Sequence, residues 1–346
     1  MPVARKLGLA IVGAGMAAKP HALSLLALSD EIEVIGVYRR NADERAAFCQ
    51  KYGFPPAQSY EALLADPRVD AVLVLTPPNA REVIVAAAAA AGKHILLEKP
   101  VERTTAAAER IVAICAAAGV TLGVIFQLRF RQASRALAQR IAEGSLGPLH
   151  SVQVVVPKWR SQSAYYDQPG RGTLEQDGGG VLMNQGIHTI DLMLSLCGPV
   201  SRVVAMTATT GFHRMETEDF AVAGLTFANG AVGSLVATTA HFPDAPEQQT
   251  LGFANATAIL RGATLDLIWH DGRTEQISEP NTASSNTDPM AGSHIWHQRQ
   301  IADFASAVRE NRPPVSTGTT ALTAHRLIDA IITSAQTGQG VNLTGS

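Results

Sequence analysis

The sequence predicts an α/β protein in two parts. A doubly wound parallel sheet comes first, and an α+β part with a large, mainly antiparallel, open-faced sheet follows. Three observations carry this. Short apolar runs, the mark of strands buried on both faces, alternate with helical stretches as far as Phe126. From Ser151 to Leu267, strand-like runs succeed one another without long helices between them. The chain has 346 residues, more than the roughly 250–300 at which single cores stop growing.

Composition narrows the function. Hydrophobic residues make up 46% and charged residues 17%, enough apolar side chain for a large core. The net charge of −2 and the lack of a basic stripe exclude nucleic acid as a partner. Cys49, Cys115 and Cys197 lie far apart with no C-x-x-C spacing, which fits a reducing compartment. Met1 to Lys6 is too short for a charged leader and no run is long enough to span a bilayer, so the expected location is cytoplasmic, without a membrane partner.

Leu7 to Val12 is the first buried strand, and Gly13-Ala14-Gly15-Met16-Ala17-Ala18 opens a helix directly after it. The glycines give a tight turn and let the backbone approach a pyrophosphate. The helix amino terminus offers free N–H groups to its charge. Gly13, Gly15, Met16 and Ala17 are therefore expected cofactor contacts. The second strand, Glu33 to Tyr38, ends at Arg39-Arg40, where an acidic residue would hold the ribose of NAD. Guanidinium forks suit a 2′-phosphate, so the expected cofactor is NADP, with NAD the other possibility.

Val69 to Leu75 ends at Thr76-Pro77-Pro78-Asn79, which places a second polar loop at the same carboxyl edge. Thr76, Pro77 and Asn79 are read as cofactor contacts, with Asn79 also capping the helix to Ala91. His94 to Leu97 runs into Glu98-Lys99-Pro100, delivering an ammonium group where a cofactor part meets a substrate part. That position points to proton transfer coupled to hydride transfer. The strand Val120 to Phe126 leads to Gln127, a further contact at that edge. The expected division is 1–126 for the cofactor domain and 127–346 for a substrate and oligomerisation domain, with the final helices able to pack back on the first.

In the second part Asn229-Gly230 marks a hairpin, and Thr250 to Leu267 reads as one strand. Gly178-Gly179-Gly180 precedes a segment in which Asn184, His188 and Asp191 share one face if it is a regular helix. Asp191 would orient the histidine ring or cap local backbone. Asparagine is a poor zinc ligand and no cysteine or second histidine stands near in sequence, so no metal site is expected. Lys158, Tyr166 and Arg171 belong to a polar and aromatic loop suited to a polyhydroxylated ring.

Together, Gly13-x-Gly15-x-x-Ala18-x-x-His21, Thr76-Pro77-Pro78-Asn79, Gly92-Lys93-His94 into Glu98-Lys99-Pro100, and Gly178-Gly179-Gly180 with Gly186-x-His188-x-x-Asp191 resemble the Gfo/Idh/MocA family over essentially the whole chain. The resemblance implies an amino-terminal Rossmann domain and a carboxyl-terminal sheet used for homodimers or homotetramers. It implies hydride exchange at a carbinol or carbonyl carbon of a sugar, cyclitol or sugar derivative. Lys99 matches the catalytic lysine, His188 the active-site histidine, and Glu98 a residue that helps hold the cofactor. Lys99, Asn184 and His188 would meet substrate. Asn184 stands where many members carry aspartate, which moves the base role to Lys99 or His188, and Arg81 stands where histidine is common. A lysine's ordinary pKa of about 10.4 must fall to roughly 7–8 for it to act as a base. Two other functions stay open: a dehydrogenase of a non-sugar cyclic diol or semialdehyde, and a non-catalytic dinucleotide sensor.

Overall fold

The computed structural model describes residues 5–15, 17–279 and 294–343. In chain order the first elements are β1 (Leu7–Val12), α1 (Ala18–Ala27), β2 (Ile32–Tyr38), α2 (Ala42–Tyr52), α3 (Tyr60–Ala65), β3 (Ala71–Val74), α4 (Arg81–Ala90), β4 (His94–Leu97), α5 (Thr105–Ala117) and β5 (Leu122–Val124). Then come α6 (Gln132–Ala142), β6 (Leu149–Pro157), α7 (Ile187–Cys197), β7 (Val200–Ala208), β8 (Phe220–Phe227), β9 (Val232–Thr238) and β10 (Gln248–Phe253). The last are β11 (Ala256–Arg261), β12 (Thr264–Trp269), β13 (Thr274–Ser278), α8 (Ile295–Glu310), α9 (Gly318–Thr337) and β14 (Val341–Asn342).

These elements form two compact units, and the division is not a single cut. The first takes the described residues of Met1–Glu102, Ala106–Gln127 and Thr282–Ala321; the second takes Arg103–Thr105, Leu128–Asn281 and Leu322–Ser346. The first unit is a Rossmann sheet of five parallel strands in the order β2-β1-β3-β4-β5. Every residue of β1 and β3 is buried, as strands covered on both faces require. The order reverses between β1 and β3, so the loops after these strands flank the crevice where such sheets take ligands. Gly13 (φ +95°) serves that crevice, because a Cβ there would sit 2.9 Å from the backbone of Leu75 and Thr76. Under the sheet, Leu9, Ile11, Leu73, Leu96 and Ile125 pack with Ala22 and Leu25 of α1 and with Ile301, Phe304 and Ala305 of α8.

The second unit is a nine-stranded sheet in the order β13-β12-β11-β10-β6-β9-β8-β7-β14. Only β6 and β9 pair in parallel. Along β6 the side chains alternate, with Val152, Val154 and Val156 buried and Val155 exposed. Helix α7 lies on β6, and α6 on β11 to β13. The Asn229-Gly230 hairpin joins β8 to β9, with Gly230 at φ +87°.

Three local expectations need correction. Thr250 to Leu267 is not one strand but parts of β10, β11 and β12, broken at Ala254-Asn255 and at Gly262. Asn79 does not cap α4: it is exposed within a 3-10 turn, Pro78–Ala80, and α4 has no side-chain cap. The helix of Asn184 and His188 is not regular, since Leu182–Gly186 is a wide π turn leading into α7. That turn shifts Asn184 away from the i, i+4 relation to His188 that an α-helix would give.

Candidate functional site

The carboxyl edge of the parallel sheet carries the first cluster. Helix α1 begins with no capping side chain and no acidic residue in its first turn. Its amino terminus therefore retains the free N–H groups and partial positive charge that suit a phosphate. Gly15 is exposed, and a Cβ on it would meet nothing within 4 Å. On the same edge, the side-chain oxygens Thr76 Oγ1 and Gln127 Oε1 are buried without a hydrogen-bond partner. Buried polar atoms are normally paired, so these two match a polar ligand in the crevice. The residues present thus fit a dinucleotide. Arg39 donates to the Ala14 carbonyl at 2.5 Å and pairs with Glu44, which anchors it beside the glycine loop. Arg40 is exposed at the end of β2. Ala17 and Pro77 line the two loops, and Met16 lies outside the described residues.

The loop after β4 is held from several sides. Glu98 is buried, and its Oε2 accepts the backbone N–H of Lys99 at 2.9 Å. Its Oε1 lies 2.9 Å from Nε2 of the fully buried His21. Burial alone would raise the Glu98 carboxyl, but the His21 hydrogen bond and the nearby His21, Lys99 and His297 hold it down at about 2. Arg81, only 3% exposed, closes the other side. Its Nε donates to the Thr76 carbonyl at 2.9 Å, and its Nη1 donates to the carbonyls of Glu98 and Pro100. One guanidinium thus ties the loop after β3 to both neighbours of Lys99. Sequence reading flagged Arg81 only as a departure from a family habit. Its role depends on two loops that meet in space.

The second unit carries the other cluster. Asn184 donates its amide to the carbonyls of Gly179 (2.7 Å) and Gly180 (3.2 Å). The glycine run is needed for packing: a Cβ on Gly180 would lie 1.8 Å from the Glu218 carbonyl oxygen. The Glu218 carboxylate accepts the N–H groups of Gly180 and Leu182, both at 3.1 Å, and burial raises its pKa. His188 is half-buried at the start of α7. Asp191 neither orients that histidine nor caps backbone. It takes a two-point ion pair from Arg129, at 2.6 Å to each oxygen. Burial raises the Asp191 carboxyl, and Arg129 opposes the rise.

The loop 158–177 places the remaining candidates unequally. Lys158 is spent on Glu247 (3.2 Å) and the Ala245 carbonyl (2.9 Å), and the Tyr166 hydroxyl pairs with Thr239 at 2.7 Å in the core. Arg171 pairs with Asp177 at 3.0 Å and lies over the Tyr165 ring, as Arg160 does. The Tyr165 hydroxyl accepts from Gln185 Nε2 at 3.1 Å, while Gln185 Oε1 is buried with no partner. Tyr165 belongs to the polar and aromatic loop expected from the sequence, but Gln185 was missed, because no spacing rule links it to Tyr165.

A dinucleotide cradle on a five-stranded Rossmann sheet, followed by an open nine-stranded sheet, defines a class of two-part oxidoreductases. Residues 7–126 match the model of the oxidoreductase family with an NAD-binding Rossmann fold, and residues 134–255 match the GFO/IDH/MocA C-terminal domain. The chain belongs to this family of NAD(P)-dependent oxidoreductases acting on CH–OH groups. It is 27% identical over 317 residues to 1,5-anhydro-D-fructose reductase of Ensifer adhaerens, covering 90% of this chain and 91% of that one. It is 28% identical over 339 residues to D-xylose 1-dehydrogenase (NADP(+)) 2 of Haloferax volcanii, covering 91% and 93%. The WlbA dehydrogenase of Bordetella pertussis, solved with NADH and UDP-GlcNAcA, is 29% identical at a TM-score of 0.83, covering 99% of this chain and 100% of that one. Among the described residues, no helix is long and apolar enough to cross a membrane.

Proposed function

We propose that the chain moves hydride between NADP and a carbinol or carbonyl carbon of a sugar, cyclitol or sugar derivative. Lys99 and His188 are the proton-handling groups. The observation that carries this is the framing of Lys99: its own N–H and both flanking carbonyls are fixed by buried charged side chains. They hold it at the edge where Thr76 and Gln127 keep unpaired oxygens. A bound nicotinamide supplies hydride exchange at its C4. The substrate hydroxyl proton passes to Lys99 in oxidation, and protonated Lys99 polarises the carbonyl in reduction. His188 assists that proton's movement, and Asn184, an amide, hydrogen-bonds a hydroxyl without taking its proton. Gln185 Oε1 offers a further acceptor to a polyhydroxylated ligand, and Arg171 borders it. Gly13, Gly15, Ala17, Thr76, Pro77, Asn79, Glu98 and Gln127 hold the dinucleotide, with Arg40 foremost on a 2′-phosphate.

The relatives named for anhydrofructose, xylose and UDP-GlcNAcA support the sugar reading, and the NADP(+) of the xylose enzyme's name supports the cofactor preference. The same family likeness supports a homodimer or homotetramer formed through the open sheet. The test is a screen of sugars and polyols with NADP and NAD, paired with titration of tryptophan fluorescence by NADPH and NADH. Lys99→Met should lose turnover by more than about 100-fold, the usual worth of a placed acid–base group, and still bind NADPH. Full turnover by that variant, or tighter binding of NADH than NADPH, would remove the corresponding part of the reading.

A further inference from the structure

His21 on α1, Glu98 at the end of β4 and His297 on α8 each offer a ligand atom, and these atoms all lie within 4.8 Å of one another. The three come from distant parts of the sequence, so no spacing rule could assemble them. The two rings meet edge to face at 4.9 Å between centroids. His21 is 0% exposed and Glu98 8%. The Nδ1 atoms of both His21 and His297 are buried without a hydrogen-bond partner. His21 turns its Nε2, not its orphaned Nδ1, to the carboxylate. The unmatched nitrogen of His297 beside that pair is costly, because a buried polar atom without a partner forfeits its hydration. A divalent ion would engage this cluster as ligands.

We propose that His21, Glu98 and His297 form a binding site for a zinc-class divalent cation. Two imidazoles and one carboxylate suit zinc and its neighbours, whereas magnesium and calcium favour all-oxygen sets. Nε2 of His21 and Oε1 of Glu98, 2.9 Å apart, are close enough to share one ion whose bonds run about 2.0–2.2 Å. Three protein ligands leave a fourth position for water. The ion would join α1, the β4 end and α8 at the carboxylate whose other oxygen holds the Lys99 N–H. Occupancy would therefore stiffen the loop that presents Lys99. Binding itself needs neither dinucleotide nor substrate, so it stands or falls apart from the proposed reaction.

The test uses the full chain stripped with a chelator and titrated with cobalt(II) chloride, a visible-absorbing stand-in for zinc. We expect one cobalt per chain with the intense visible bands of low coordination, bleached by zinc chloride. His297→Gln should weaken binding by more than about tenfold, a loss that even outer partners of metal ligands can cause. Glu98→Gln should do the same. His270→Gln, on the turn after β12, should leave the bands unchanged. Far-ultraviolet circular dichroism melts establish that each variant is folded. Bands no stronger than those of hydrated cobalt, or bands that survive His297→Gln in a folded protein, would overturn the proposal and leave the cluster to bound water.

Discussion

At the scale of single residues, Arg81 shows how a charge can act without touching a ligand. It is buried, and burial pulls its pKa down to about 10, yet it still carries its charge at neutral pH. Its fork reaches three carbonyls from two loops. A lysine offers one point charge where the guanidinium offers a fork. Arg81→Lys should therefore lower kcat more than it lowers NADPH affinity. Arg81→Ala should destabilise the first unit by about 1–3 kcal/mol for each carbonyl left unmatched. Thermal melts with steady-state kinetics on any substrate found in the screen would check both, and equal losses in kcat and affinity would count against the clamp. Gly13 and Lys99 were legible in the sequence because backbone geometry and strand-end position follow from local pattern. Arg81, Arg129 and Gln185 were not, because their partners Pro100, Asp191 and Tyr165 are fixed only by tertiary contact.

At the scale of elements, apolar periodicity revealed the strands of the parallel sheet and the hairpin at Asn229-Gly230. It failed where two turns hide in a continuous β-rich run, at Ala254-Asn255 and Gly262, and where a π turn interrupts a helical pattern before Ile187. The start of β10 is pinned by charge. Glu247 accepts from Arg131, which opens α6, at 2.5 Å, and from Lys158, which follows β6, at 3.2 Å. Burial would raise its pKa, but Arg131 and Lys158 outweigh burial and bring it from 4.5 to about 2. A carboxylate depressed in the fold adds stability above its unfolded pKa and loses it as pH falls through the folded one. The contribution of Glu247 should thus fade between about pH 4.5 and pH 2. Glu247→Gln should flatten that part of the stability–pH curve in urea titrations. At neutral pH it should cost up to about 3–5 kcal/mol by removing the carboxylate charge that faces the buried Arg131 and the half-buried Lys158.

At the scale of the whole molecule, the open face of the nine-stranded sheet stands out. Strand register lines up Met206, Val222, Val236 and Val155 across β7, β8, β9 and β6. Met206 and Val155 are 56% and 40% exposed, and Val204 and Val232 on the same face are 46% and 57%. A registered apolar row of this kind suits the sheet-face contact proposed above. If this face forms the proposed dimer, Val236→Lys puts a charge into that apolar row on both copies. It should shift the protein to monomers in light scattering coupled to gel filtration, without loss of NADPH binding. A wild-type chain that is monomeric at micromolar concentration would remove this surface from consideration. The fold class was legible in the sequence because each half keeps one periodicity, and the return of a late helix to the first unit was allowed for, but the exact boundaries of the interrupted unit were not.

That interruption bears on synthesis. Phe304, 1% exposed, and Ile301 complete the core of the first unit, and α8 that carries them lies beyond all of β6 to β13 in the chain. A ribosome making this protein releases the strands of the parallel sheet first and α8, which completes their cover, only after β6 to β13. Until then the core around Leu25 and Ile125 is short of Ile301, Phe304 and Ala305, and apolar surface left open in this way is prone to aggregate during synthesis.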